Sequence, residues 1–190
     1  MKLRSMVYAS LFAAMIGALG LFPPIVTPFT PVPITAQTLG LMLAGSILGA
    51  KRGALSLFIF ILLIAIGVPL LSGGRGGLGV FFGPSGGYIL SYPIAAFIIG
   101  YLVEKCWNRL NVWYLMVFNF IGGILFVYLC GVTYLSFITN TPLSKAAWTA
   151  LIYIPGDILK IVIASMLAAQ INRVYPLIGK DKPAGQTKAA

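Results

Sequence analysis

Six apolar runs, at about residues 6–22, 36–49, 53–71, 88–103, 113–138 and 146–172, fill most of this chain and leave only short connections between them. Charged residues make up 8% of the sequence, against about 25% in a soluble domain. Too few polar groups remain to cover a surface facing water. Runs of this length suit helices, which satisfy their own backbone groups in hydrocarbon, better than the shorter alternating strands of a membrane barrel. The expected fold is an all-α integral membrane protein, a six-transmembrane-helix bundle over residues 1–172, with a polar cytoplasmic tail over 173–190. The run at 36–49 is short for a full crossing and is expected to borrow from its flanks or end below the surface.

The net charge of +10 raises the prospect of nucleic acid, and the placement of the charges removes it. Lys2, Arg4, Lys51, Arg52, Lys105, Arg109, Arg173, Lys180, Lys182 and Lys188 flank one side of the runs, whereas the alternate connections carry only Arg75 and Lys145. That is a positive-inside distribution, which puts the N and C termini in the cytoplasm. Trp107, Trp113 and Trp148 fall at run ends, where interfacial aromatics belong. Histidine is absent and the two cysteines, Cys106 and Cys130, are too far apart to pair, so the sequence offers no metal site and no disulfide framework. Nor is there a phosphate-binding GxxxxGK[ST] segment, and the chain is expected to hydrolyse no nucleotide itself.

Two connections are unlike ordinary loops. "PPIVTPFTPVPIT" has five prolines in thirteen residues and should run extended, stiff and polyproline-like. "SGGRGGLGVFFGPSGG" has eight glycines in sixteen residues, yet also holds Val80, Phe81 and Phe82. Apolar side chains on so permissive a backbone point to a loop folded back on the bundle, near a ligand. Its "GPSGG" matches the G-x-S-x-G pattern of serine hydrolases, but Ser85 needs an adjacent base and no histidine is present.

Asp157 and Lys160, in "YIPGDILKIVI", lie inside the last apolar run. A charged residue at such a depth costs about 2.5–3.5 kcal/mol on the insertion scale and normally faces the bundle interior or a wet cavity. Three residues apart, the two share a helix face. They are either a mutually neutralised ion pair or the acceptor and donor of a polar binding site; Pro155 and Gly156 loosen the helix just before them.

The segments "TPVPITAQTLGLMLAGSILGAKRGALS", "GVPLLSGGRGGLGVFFGPSGGYILSYPIAAFIIGYL" and "PGDILK" closely resemble the BioY family, the biotin-binding S components of energy-coupling factor (ECF) vitamin transporters. The likeness runs from about Ala9 to Gln170. It implies capture and uptake of biotin at the bacterial plasma membrane, with no enzymatic activity and no cofactor. Loops would close over the ligand near the outer face. The implied partners are a transmembrane scaffold subunit (EcfT or BioN) and two ATPase subunits, with Ala9 and Ala13 matching the family's AxxxA motif for the scaffold. The implied binding residues are Asp157 and Lys160. Gln37, Ser85 and Tyr88 are added as polar contacts, Phe81 and Phe82 as shields for the apolar ring, and Arg75, where relatives often have glycine or another residue, as a further binding residue.

Overall fold

The computed structural model describes residues 3–178; Lys2, Lys180, Lys182, Lys188 and the rest of the expected tail from 179 lie outside the described residues. Every apolar run contains a helix. The elements are α1 (Leu3–Leu19), a hairpin of β1 (Ile25–Thr27) and β2 (Thr30–Ile34), α2 (Gln37–Leu48), α3 (Ala50–Ala65), α4 (Gly86–Lys105), α5 (Val112–Asn119), α6 (Val127–Thr139), α7 (Leu143–Ala150) and α8 (Ile154–Val174). A π-helical stretch, Phe120–Phe126, joins α5 to α6, so that Val112–Thr139 is one continuous rod of 28 residues. Among the described residues, three helical stretches, Gly86–Lys105, Val112–Thr139 and Leu143–Val174, are long and apolar enough to cross a membrane.

α2, with 12 residues, reaches only about 18 Å at 1.5 Å per residue and is, as expected, short for a crossing. It stops at Gly49, whose φ of +83° is a conformation that L side chains rarely adopt. The backbone N–H of Ala50, opening α3, donates to Glu104 Oε1 at 2.8 Å, which gives the new helix N-terminus a carboxylate partner.

The core lies between α1, α2, α3, α4 and α8. Leu41, Leu57, Phe60, Ile64 and Ile99 are fully buried within it, while Phe58, Leu62, Phe97, Leu129, Phe137 and Met166 point outward. A soluble monomer rarely leaves so much apolar surface uncovered; on a membrane protein it is the lipid-facing belt. Inside, Asn119 accepts from Ser46 Oγ at 3.0 Å and donates to Ser165 Oγ at 3.1 Å, which ties α5 to α2 and α8 by polar bonds across an apolar interior.

The structure bears on three expectations. The proline-rich connection is extended but paired: β1 and β2 run antiparallel, with Ile25 opposite Ile34 and Thr27 opposite Thr30, about a turn at Pro28 and Phe29. Thr30 and Val32 are buried while Pro31, between them, is exposed, so that strand periodicity places the ring, which has no N–H, on the outer side. The AxxxA pair Ala9 and Ala13 is 0% and 1% exposed, facing the bundle where α1 packs on α3 and α2. It belongs to the buried stripe of α1, together with Ser5, Ile16 and Gly17. Finally, α8 runs to Val174 and Leu177 and Ile178 pack against the core, so the folded unit extends past the expected boundary at 172.

Candidate functional site

At the end of the bundle where α8 begins lies a cavity with about 590 Å³ of space, open solvent at its mouth included. The hairpin covers one side with Val32, Pro33, Ile34 and Thr35, and Gln37 and Thr38 open α2 beneath it. Leu71 and Arg75 come from the glycine-rich loop, Ser85, Tyr88, Ile89 and Tyr92 from the start of α4, and Val127 and Tyr128 from α6. Tyr153, Asp157 and Lys160 complete the lining.

Asp157 is 4% exposed. Its Oδ2 accepts from Tyr128 Oη at 2.6 Å, and its Oδ1 accepts from Lys160 Nζ at 2.8 Å and, more weakly, from Thr38 Oγ1 at 3.4 Å. The ammonium of Lys160 also donates to the Thr35 carbonyl at 2.7 Å and to Thr38 Oγ1 at 2.9 Å, so all three of its protons are engaged. Paired and hydrogen-bonded, the two charges meet the condition under which charges are buried at all. One ion pair thus joins the first turns of α8 to the base of the hairpin and the start of α2.

A second anchor holds the hairpin from above. Tyr153 Oη donates to the Val32 carbonyl at 2.8 Å and shares a short hydrogen bond with Thr30 Oγ1. Thr30 Oγ1 in turn accepts from the Val32 N–H at 3.3 Å. The rings of Tyr88, Tyr128 and Tyr153 meet edge to face, with centroids 6.4 and 6.3 Å apart along the series, and give the cavity an aromatic wall. Close approach of Gly131 makes room for this wall, since a Cβ there would stand 2.3 Å from the Tyr88 ring.

Several polar groups of the cavity are not consumed by the fold among the described residues. Tyr88 Oη is buried without a partner among the described residues. Ser85 precedes α4 but makes no capping bond with its side chain. Arg75 uses Nε to reach the Ser72 carbonyl at 3.3 Å, a bond that does not involve its two terminal nitrogens. Gln37 is more structural: its Nε2 donates to the Leu70 carbonyl at 3.0 Å, fastening α2 to the loop.

Of the residues expected at the site, Asp157, Lys160, Tyr88, Ser85, Gln37 and Arg75 line one cavity. Phe81 and Phe82 do not. Phe81 is packed into the core and its carbonyl accepts from Tyr134 Oη at 2.7 Å, whereas Phe82 is 75% exposed. They sit in a 3-10 turn, Leu78–Phe82, whose adjacent side chains point to different sides. Tyr128, Tyr153, Tyr92, Thr38 and Val32 were not foreseen. Tyr88 and Tyr92, four apart on one helix face, carried a readable signal. Tyr128 did not, because the π-helical stretch just before it re-aims the following face.

Comparison with known proteins gives a consistent result. The BioY family model matches residues 1–177. The chain is 45% identical over 177 residues to the probable biotin transporter BioY of Bacillus subtilis, covering 93% of this chain and 95% of that protein. It is also 45% identical over 183 residues to the biotin transporter BioY of Rhizobium etli, covering 94% and 98% of the two chains. Among solved structures, the S-component for biotin from an ECF-type ABC transporter superposes with a TM-score of 0.87 at 35% identity, covering 90% of this chain and 92% of that one.

Proposed function

The chain belongs to the BioY family, and from that premise we propose how its cavity captures biotin as the membrane-embedded binding subunit of an ECF-type transporter. It is a transport component and not an enzyme. The observation that carries the assignment of the site is Asp157, a buried carboxylate held by Tyr128, Lys160 and Thr38 at the base of a tyrosine-walled cavity.

Biotin offers two ureido N–H donors, a ureido carbonyl, an apolar thioether ring and a carboxylate. Asp157 accepts from the ureido N–H groups, the long Thr38 contact being the one most readily exchanged. Tyr88 Oη, which has no partner among the described residues, donates to the ureido carbonyl. The rings of Tyr88, Tyr128 and Tyr153 pack on the thioether ring, and Val32 covers it from the hairpin. Arg75, at the mouth, takes the carboxylate through its terminal nitrogens, a bidentate geometry that guanidinium favours. Lys160 acts as a positioning residue: it fixes Asp157 and ties the hairpin down at Thr35.

The surroundings follow from the same reading. Six apolar helical stretches form a multi-pass bundle in the bacterial plasma membrane with both termini cytoplasmic, in accord with Arg4, Lys51, Arg52, Lys105 and Arg109 at one end. A scaffold subunit and two ATPase subunits supply the driving force. With Ala9 and Ala13 turned inward, the small residues that α1 leaves exposed are Ser10, Ala14 and Ala18, and this neighbouring stripe admits close approach of a scaffold helix. The test of the function is mass spectrometry of small molecules released from the purified protein: biotin at near one per chain supports it, and a different vitamin or none refutes it.

A further inference from the structure

A second cavity opens at the other end of the bundle, between the α4–α5 connection and the last turns of α8, with about 500 Å³ of space including its mouth. At 1.5 Å per residue it lies about 22 Å along α8 from Asp157. Trp107, Leu110 and Leu115 form an apolar wall, and Asn111, Asn172 and Arg173 supply the polar groups. Nothing in biotin capture uses it.

The polar groups have an uneven inventory. Asn172 is 9% exposed; its Nδ2 donates to the Ser46 carbonyl at 3.1 Å, but its Oδ1 has no partner among the described residues. A buried acceptor without a donor is costly, and Asn172 is one of the residues that line this cavity. Asn111 caps α5, its Oδ1 accepting from the Tyr114 N–H at 2.9 Å, which leaves its amide protons out of that bond beside a helix N-terminus. Arg173, in the last turn of α8, adds a cation. The wider field is of the same sign. Arg52 joins Ser5 to the Leu177 carbonyl, placing the starts of α1 and α3 at this end with Arg4 and Lys51. Lys105 and Arg109 flank the connection itself. Against them stands Glu104, whose Oε1 is occupied by the Ala50 N–H.

We propose that this cavity binds the head group of an anionic phospholipid bearing a free hydroxyl, of the phosphatidylglycerol type. The phosphate lies between Arg173 and the Asn111 end of α5, where cation and helix N-terminus both favour negative charge. The head-group hydroxyl donates to Asn172 Oδ1. The acyl chains leave along Leu110 and Trp107 toward the exposed Trp113 and Val117, so the site opens onto the lipid-facing belt and not onto water alone. A zwitterionic lipid with a terminal ammonium matches the hydroxyl's donor role but brings no net charge to a basic end.

Native mass spectrometry of the full-length protein, titrated with phosphatidylglycerol or phosphatidylethanolamine of identical acyl chains, tests this. The wild type is expected to retain one phosphatidylglycerol with a preference of roughly fivefold or more, the weight of one basic residue at an anionic surface. Arg173→Gln, at an exposed position, should abolish the preference and leave biotin affinity unchanged; Asn172→Leu should instead lower retention of both lipids and keep the preference. Equal retention of the two lipids, an unchanged preference in Arg173→Gln, or displacement of the lipid by an equal concentration of soluble glycerol phosphate each overturns the proposal.

Discussion

Lys160 Nζ lies 2.8 Å from Asp157 Oδ1, and the same ammonium holds the Thr35 carbonyl at 2.7 Å. The pair is therefore both a neutralised couple inside the bundle and the joint between α8 and the hairpin. Removal of Lys160 acts through Asp157, which loses its counter-charge and its orientation. Lys160→Ala is expected to weaken biotin binding at least about tenfold, because breaking a buried charged pair typically costs several kcal/mol. In a double-mutant cycle with Asp157→Asn the two effects should be far from additive. Additive losses in titration calorimetry would show that Lys160 contacts the ligand independently of Asp157.

Arg75 is assigned the carboxylate. Arg75→Gln should reduce affinity for biotin while leaving the affinity for uncharged biotin amide nearly untouched, since only the former loses a charge-assisted bond of about 1.5–3 kcal/mol. Competition assays with the two ligands decide it. Equal losses would move the carboxylate elsewhere.

Tyr153 secures the hairpin through Val32 and Thr30. Tyr153→Phe removes these bonds and keeps the ring, at a cost of about 1 kcal/mol. The expected result is a faster release of biotin with a smaller change in the association rate, measured by stopped-flow. An unaltered release rate would mean that the hairpin does not retain the ligand.

Gly131 allows the Tyr88 ring its place, since a Cβ there would come within 2.3 Å of it. Gly131→Ala should lower thermal stability, overpacking of this kind costing about 1–3 kcal/mol, and weaken binding as the ring is displaced into the cavity. On α1, Ala14→Trp is expected to block uptake in cells while leaving biotin binding intact. Ala13→Trp, at a buried position, should instead impair folding. The reverse pattern would return the partner surface to Ala9 and Ala13.

Much of this is legible in the sequence. The apolar runs mark the helical stretches because hydrocarbon burial dominates their composition, and the cost of ions in that setting singles out Asp157 and Lys160. Alternating prolines say that residues 23–35 are extended, but not that they pair, since pairing depends on the turn at Pro28 and on what Thr30 and Val32 can bury against. The small-xxx-small pattern says where α1 permits close approach and is silent on which side is inward. Side-chain direction in the glycine-rich loop was not readable either, as its 3-10 turn separates Phe81 from Phe82. Tyr128 was hidden by the π-helical stretch, which breaks the period on which face assignments rest.

The central claim is that Asp157 is the acceptor for the ureido group of biotin. Equilibrium binding of biotin to purified Asp157→Asn, with folding verified by an unchanged size-exclusion profile, tests it most directly. The substitution keeps shape and an acceptor oxygen but removes the charge, and affinity should fall at least about tenfold, in line with the 2–5 kcal/mol cost of breaking such a desolvated charged bond. Wild-type affinity in a folded Asp157→Asn protein would contradict the account.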